Sequence, residues 1–198
     1  MSDLRRRFLL AAAAAAMLAA GGCSETRDAP RFKLTDVTGA SFGKSLALTD
    51  HNGQPRTLGD FKGKVVTLFF GFTHCPDVCP TTLVEMASVM KELGPDAGRL
   101  QVLFVTVDPE RDTADVLKRY VPAFHPSFLG LTGSADEIAR AAKEFKIFFQ
   151  KQKLASGGYT MDHSAGTYIL DGEGRLRLFA QYGVGAPTLL HDIRLLLK

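Results

Sequence analysis

A chain of 198 residues with 45% hydrophobic and 23% charged residues has the bulk for one well-buried domain and not for two. Its formal charge of +3 falls to +1 without residues 1–22, which carry three arginines and one aspartate. Too little basic charge remains for a nucleic-acid surface, which excludes that class of partner.

The first segment in chain order reads as a leader. Arg5, Arg6 and Arg7 precede an apolar run from Phe8 through the alanine stretch to Ala20, the pattern of an export signal over residues 1–22. The run from Phe8 to Gly22 is 15 residues long, short of the roughly 20 that a bilayer-spanning helix needs. Arg5-Arg6-Arg7-Phe8-Leu9 resembles a twin-arginine export pattern, and Ala20-Gly21-Gly22-Cys23 resembles a bacterial lipobox. Together these imply lipidation of Cys23 and a lipid anchor to a membrane, on the periplasmic side of a bacterial cell envelope. Ser24 to Pro30 is polar and aperiodic, so residues 23–40 are expected as a tether and residues 41–198 as the domain.

Within the domain, short runs on either side of His51-Asn52-Gly53 predict a β-hairpin between Leu46 and Thr57. Val65 to Phe70 is apolar without alternation, as suits a strand buried on both faces. A loop from Gly71 to Cys79 leads to a helix expected to begin at Pro80 and to end at Gly94-Pro95. Leu100 to Val107 predicts a second buried strand, the stretch after Asp112 a helix through Tyr120, and Phe128 to Leu131 a short strand. Ser134 to Glu137 has the form of a capping box opening a helix to about Phe145. Ala165–Leu170 and Arg175–Ala180 form a hairpin about Asp171-Gly172-Glu173-Gly174, and Pro187 to Leu197 closes the chain as an amphipathic helix. Strands alternating with helices, followed by an antiparallel hairpin, predict an α/β fold with a mixed central sheet flanked by helices. The functional edge of such a sheet lies at the carboxyl ends of its strands, where Cys75 and Cys79 fall.

Cys75 and Cys79 are four residues apart, and one helical turn brings such positions to roughly 5–6 Å at Cβ. The pair can therefore share a metal ion or, after small adjustment, close a disulfide. A helix N-terminus beside Cys79 would lower its thiol pKa. Thiolates select Cu(I), and with imidazole added they also hold Cu(II) or Zn(II), so the cysteines alone leave metal binding and thiol redox chemistry both open. His163, before a predicted strand, lies in a loop that can fold towards the sheet edge, although a lone histidine is by itself no ligand. His74 adjoins Cys75 but is expected to point away, and Met86 and Met90, four apart on a helix, are expected in the core. Lys143, Lys146, Lys151 and Lys153 read as a solvated face.

Three segments then acquire meaning together: Phe70-Gly71-Phe72-Thr73-His74-Cys75-Pro76-Asp77-Val78-Cys79-Pro80, Val107-Asp108-Pro109-Glu110-Arg111-Asp112, and Asp162-His163 before Tyr168-Ile169-Leu170-Asp171. They resemble the Sco (SenC) family of copper-binding proteins of cytochrome c oxidase assembly, over nearly the whole chain from about Phe32. The resemblance implies a thioredoxin-like fold with an extra β-hairpin, and Cys75, Cys79 and His163 as ligands of one Cu(I) or Cu(II) ion; Asp162, beside the histidine, is expected to organise its loop or to hydrogen-bond behind the ligands. It implies a metallochaperone, whose ligand exchange turns over no substrate. Its partners would be the copper-site subunit of cytochrome c oxidase and other copper chaperones. The alternative it leaves is a thiol–disulfide oxidoreductase in which Cys75 and Cys79 reduce a partner's cysteines.

Overall fold

The computed structural model describes residues 31–198. Its strands and helices are, in chain order, β1 (Thr35–Asp36), β2 (Ala47–Asp50), β3 (Pro55–Thr57), β4 (Val65–Gly71), α1 (Val78–Leu93), β5 (Leu100–Thr106), α2 (Ala114–Tyr120), β6 (Leu129–Thr132), α3 (Ala135–Glu144), β7 (Phe149–Lys153), β8 (Tyr159–His163), β9 (Gly166–Leu170), β10 (Leu176–Gln181) and α4 (Ala186–Leu196). Eight strands form one sheet in the order β1-β10-β9-β4-β5-β6-β2-β3, and β7 pairs with β8 alone. Strands β4, β5 and β6 run parallel, whereas β9 lies antiparallel to β4. The mixed sheet flanked by helices is the thioredoxin-like arrangement that the sequence implied.

All seven residues of β4 and all seven of β5 are buried. Side chains alternate between the faces of a strand, so complete burial means that both faces are covered. The two strands pair in register from Val65 opposite Leu100 to Gly71 opposite Thr106. They therefore end together, and Val107 N–H donates to the Gly71 carbonyl at 2.8 Å just past that point. The segment leaving β4 carries the cysteines, and the segment leaving β5 carries Asp108 to Asp112. Parallel pairing thus places two of the three family segments side by side.

The helix after β4 buries Cys79, Leu83, Met86, Met90 and Leu93 at helical spacing and stops at Gly94, whose φ of 55° a side chain would resist. Met86 and Met90 are core residues, as expected. Ser134 and Glu137 form the capping box foreseen for α3, with Glu137 accepting from the Ser134 N–H at 2.7 Å.

Three expectations need correction. Helix α1 begins at Val78 with Asp77 as its cap, so Cys79 stands inside the first turn rather than ahead of it. The stretch read as a tether over 23–40 is packed from Phe32 onward. Asp192, fully buried, accepts from the Lys33 and Leu34 N–H groups at 2.7–3.0 Å, and β1 pairs with β10. Third, His163 ends a strand, β8, rather than sitting in a loop. The β7–β8 hairpin leaves no strand signal in the sequence because β7 alternates lysine and glutamine where a core strand carries apolar residues. The leader over 1–22, Cys23 and the first part of the tether lie outside the described residues. Among the described residues no helix is long and apolar enough to cross a membrane.

Candidate metal centre

Two separately built arms meet at the carboxyl end of β4. The first is the loop between β4 and α1. Asp112, fully buried at the end of the β5 segment, accepts from the Thr73 N–H at 3.0 Å, the Thr73 hydroxyl at 2.5 Å and the Thr106 hydroxyl at 2.7 Å. The Cys75 N–H turns back to the Phe72 carbonyl at 3.2 Å. This pins the loop while α1 fixes Cys79, which is 1% exposed. Gly71 is required for that approach, since a Cβ there would stand 2.7 Å from Cys79 Sγ and 2.9 Å from the Phe104 ring.

The second arm is the β7–β8 hairpin, which brings His163 opposite Phe149. Its Nδ1 lies 3.0 Å from the Ser164 carbonyl. A carbonyl only accepts, so Nδ1 carries the proton and Nε2 presents its lone pair, the tautomer a metal ligand needs. Nε2 faces Cys79 Sγ at 3.8 Å, and the imidazole stands edge-on to the Phe72 ring, 5.8 Å between centroids. Asp162 is exposed on the neighbouring position of β8. The carbonyl of Ser164, not the expected Asp162, is therefore the hydrogen-bond partner that orients His163.

Cys75, Cys79 and His163 offer two sulfurs and one nitrogen that all lie within 4.8 Å of one another. Bonds of about 2.0–2.3 Å from metal to sulfur or nitrogen place two ligands of one ion about 3.5–4.5 Å apart, so the group fits a single soft cation with little movement. Both cysteines are free thiols here. Burial, helped by the neighbouring Cys75, pushes the Cys79 thiol well above its ordinary 9.0. The expected lowering by the helix end is outweighed because the sulfur is packed in the core, where desolvation of a thiolate dominates. Burial likewise lowers the His163 pKa below 6.5, against smaller opposing effects of the Ser164 carbonyl and the Asp162 charge, and keeps the ring neutral. A cavity of about 450 Å³, lined by Phe72, Cys75, Pro76, Val78, Phe148 and His163, opens beside the group.

The other candidates stand apart. His74 is exposed, 3.2 Å from the Thr73 hydroxyl. His51 is buried as an acceptor for the Gly130 N–H, and His191 pairs with Asp192. Met161 is buried in β8, and Lys151 pairs with Glu110. Asp108, Arg111, Asp112, Thr73 and Tyr159, which join the arms to the sheet, had no role assigned from sequence. The segment Val107–Asp112 was the signal that could have found Asp108, Arg111 and Asp112.

The fold and group define a thioredoxin-like protein with a soft two-sulfur, one-nitrogen centre. Residues 34–198 match the SCO1/SenC family model, and the chain belongs to that family. It is 40% identical over 152 residues to the mitochondrial SCO2 homolog of Mus musculus, covering 75% of this chain and 60% of that one. The structure of Bradyrhizobium japonicum ScoI with copper bound superposes with a TM-score of 0.73 at 38% identity, covering 79% of this chain and all of that one. Apo Sco1 from Thermus thermophilus gives 0.75 at 43%, covering 84% and 98%. The chain spans about half to three-fifths of the length of the mouse, bovine and zebrafish relatives. The expected bacterial-envelope location is corrected by these matches, since the mouse, bovine, human and yeast relatives are mitochondrial proteins.

Proposed function

We propose that this chain is a copper carrier: Cys75, Cys79 and His163 hold one copper ion as cargo and pass it to the dinuclear copper site of cytochrome c oxidase during its assembly. The observation that carries this reading is the convergence of two thiols and an imidazole Nε2 within 4.8 Å beside an open cavity. Sulfur donors favour Cu(I), and the added nitrogen accommodates Cu(II). A closed structural zinc site takes four protein ligands, and the group among the described residues has three. Related ScoI and yeast Sco1 structures hold copper. Membership of the SCO1/SenC family supports the oxidase as recipient.

Exposure gives the exchange a direction. Cys75 and His163 are half-buried and meet an incoming ligand first, whereas buried Cys79 lets go last. Loading displaces the Cys79 proton, so copper affinity rises with pH. The second reading, a dithiol reductase, is favoured by the adjacency of two free thiols. Cys75 would then attack a partner disulfide, and Cys79 would resolve the mixed disulfide, releasing the partner's dithiol and leaving this pair oxidised. Burial of Cys79 makes its free thiolate costly; a bound copper cation offsets that cost, whereas disulfide exchange meets it unaided.

Anaerobic titration of the reduced protein, followed by oxidase assembly in cells, tests the proposal. One equivalent of copper should bind, and His163→Ala should abolish assembly while sparing disulfide reduction. Normal assembly in that variant, with loss only in Cys75→Ser or Cys79→Ser, would favour the reductase.

A further inference from the structure

A two-stranded hairpin alone is marginally stable in water. The β7–β8 pair belongs to no larger sheet, so the direction of His163 depends on what fastens the hairpin to the body of the fold. At the first residue of β8, those fastenings converge on the turn after β5. Asp108, 2% exposed, accepts from the Tyr159 hydroxyl at 2.9 Å and from Arg111 Nε. Arg111 Nη1 donates to the Tyr159 carbonyl at 2.9 Å. Its guanidinium lies 3.8 Å from the centroid of the Tyr159 ring and 5.9 Å from that of Phe72. Phe72 is the ring on which His163 stands edge-on. Beside this, Lys151 in β7 donates to Glu110 at 2.7 Å.

Arg111 thus grips the strand that carries His163 through its backbone, and its guanidinium stands over the ring that packs against the imidazole. Its side chain is 24% exposed, and Nη2 is buried without a hydrogen-bond partner. The cysteine loop is fastened separately, by Asp112 to Thr73.

We propose that Arg111, with Asp108 and Tyr159, positions the histidine arm: these residues hold β8 so that Nε2 of His163 meets the two sulfurs, and thereby set the affinity for the copper state that requires a nitrogen ligand. The proposal rests on the copper reading above. None of the three touches the cargo. Loosening them removes His163 from the site while Cys75 and Cys79 stay, so Cu(II), which needs nitrogen donors, is affected more than Cu(I), which two thiolates satisfy.

The test compares the full chain with Arg111→Lys, which keeps the charge but not the planar fork, and Tyr159→Phe, which removes one hydroxyl. Cu(II) and Cu(I) affinities are measured with the Cu(II) spectrum, and hydrogen exchange is measured in the metal-free proteins. Arg111→Lys should weaken Cu(II) binding about 10–100-fold, change its spectrum towards that of His163→Ala, and leave Cu(I) affinity within about threefold. Exchange should quicken in β8 and not in β4 or β5, with Tyr159→Phe showing the same pattern more weakly. Unchanged Cu(II) binding and β8 exchange in both variants would overturn the proposal, as would equal losses for the two copper states. Should the wild-type chain bind no copper, the copper reading fails, and exchange confined to β8 still decides whether the turn holds the histidine arm.

Discussion

The two arms of the site are built in contrasting ways. The cysteine arm grows from the most deeply buried strand, and its helix keeps Cys79 in the core. The histidine arm is a largely polar hairpin outside the main sheet, tied down by buried Met161 and by side chains of the neighbouring turn. A site assembled this way has one fixed half and one adjustable half. That suits the carrier role proposed above, in which the ion is both held and released.

Removing a sulfur should have the largest effect. Cys75→Ser or Cys79→Ser should abolish tight binding of both Cu(I) and Cu(II), because a serine hydroxyl is a hard, neutral donor. His163→Ala should weaken Cu(II) strongly and leave Cu(I) on two thiolates. Paired titrations of the three variants check this, and equal losses for the two copper states in His163→Ala would erase the distinction between the arms.

Next comes the fastening of the cysteine loop. Asp112→Ala strips the acceptor from the Thr73 N–H and from the Thr73 and Thr106 hydroxyls. Orphaned donors of this kind cost about 2–4 kcal/mol together. Denaturant unfolding should show that loss, with weaker binding of both copper states. An undiminished Cu(I) affinity would mean that the loop does not depend on Asp112.

The smallest effect is a pair of opposite marks on the pH profile of the metal-free protein. Burial lowers the His163 pKa, so below 6.5 the unfolded chain takes up a proton that the folded chain refuses, and stability falls with pH. Burial raises the Cys79 pKa, so as pH rises past 9.0 the unfolded chain releases a proton that the folded chain keeps, and stability falls again. His163→Ala should flatten the acid limb and Cys79→Ala the alkaline limb, as read from thermal melts across pH. A limb that persists in its own variant would assign that slope to other groups.

The same contrast explains what could be read in advance. The cysteine arm was legible because buried strands and helix ends leave strong local patterns: continuous apolar runs in β4 and β5 and the stop at Gly94. The cysteine spacing completed it. The histidine arm was opaque because β7 alternates lysine and glutamine and pairs with β8 only. His163 was reached through family resemblance, not through periodicity. Its true partner, the Ser164 carbonyl, leaves no trace in side-chain identity. The depression expected for the Cys79 thiol failed for a related reason: a helix terminus can be seen in sequence, whereas the depth of one sulfur depends on packing among distant residues.

The central claim is that both arms supply ligands to one ion. X-ray absorption at the copper edge, on the full chain loaded with one equivalent of Cu(II), reads the donor set directly. The account predicts two sulfurs and an imidazole nitrogen around copper in the wild type, and two sulfurs without that imidazole in His163→Ala. A wild-type spectrum with one sulfur or none, or one that His163→Ala leaves unchanged, would contradict it.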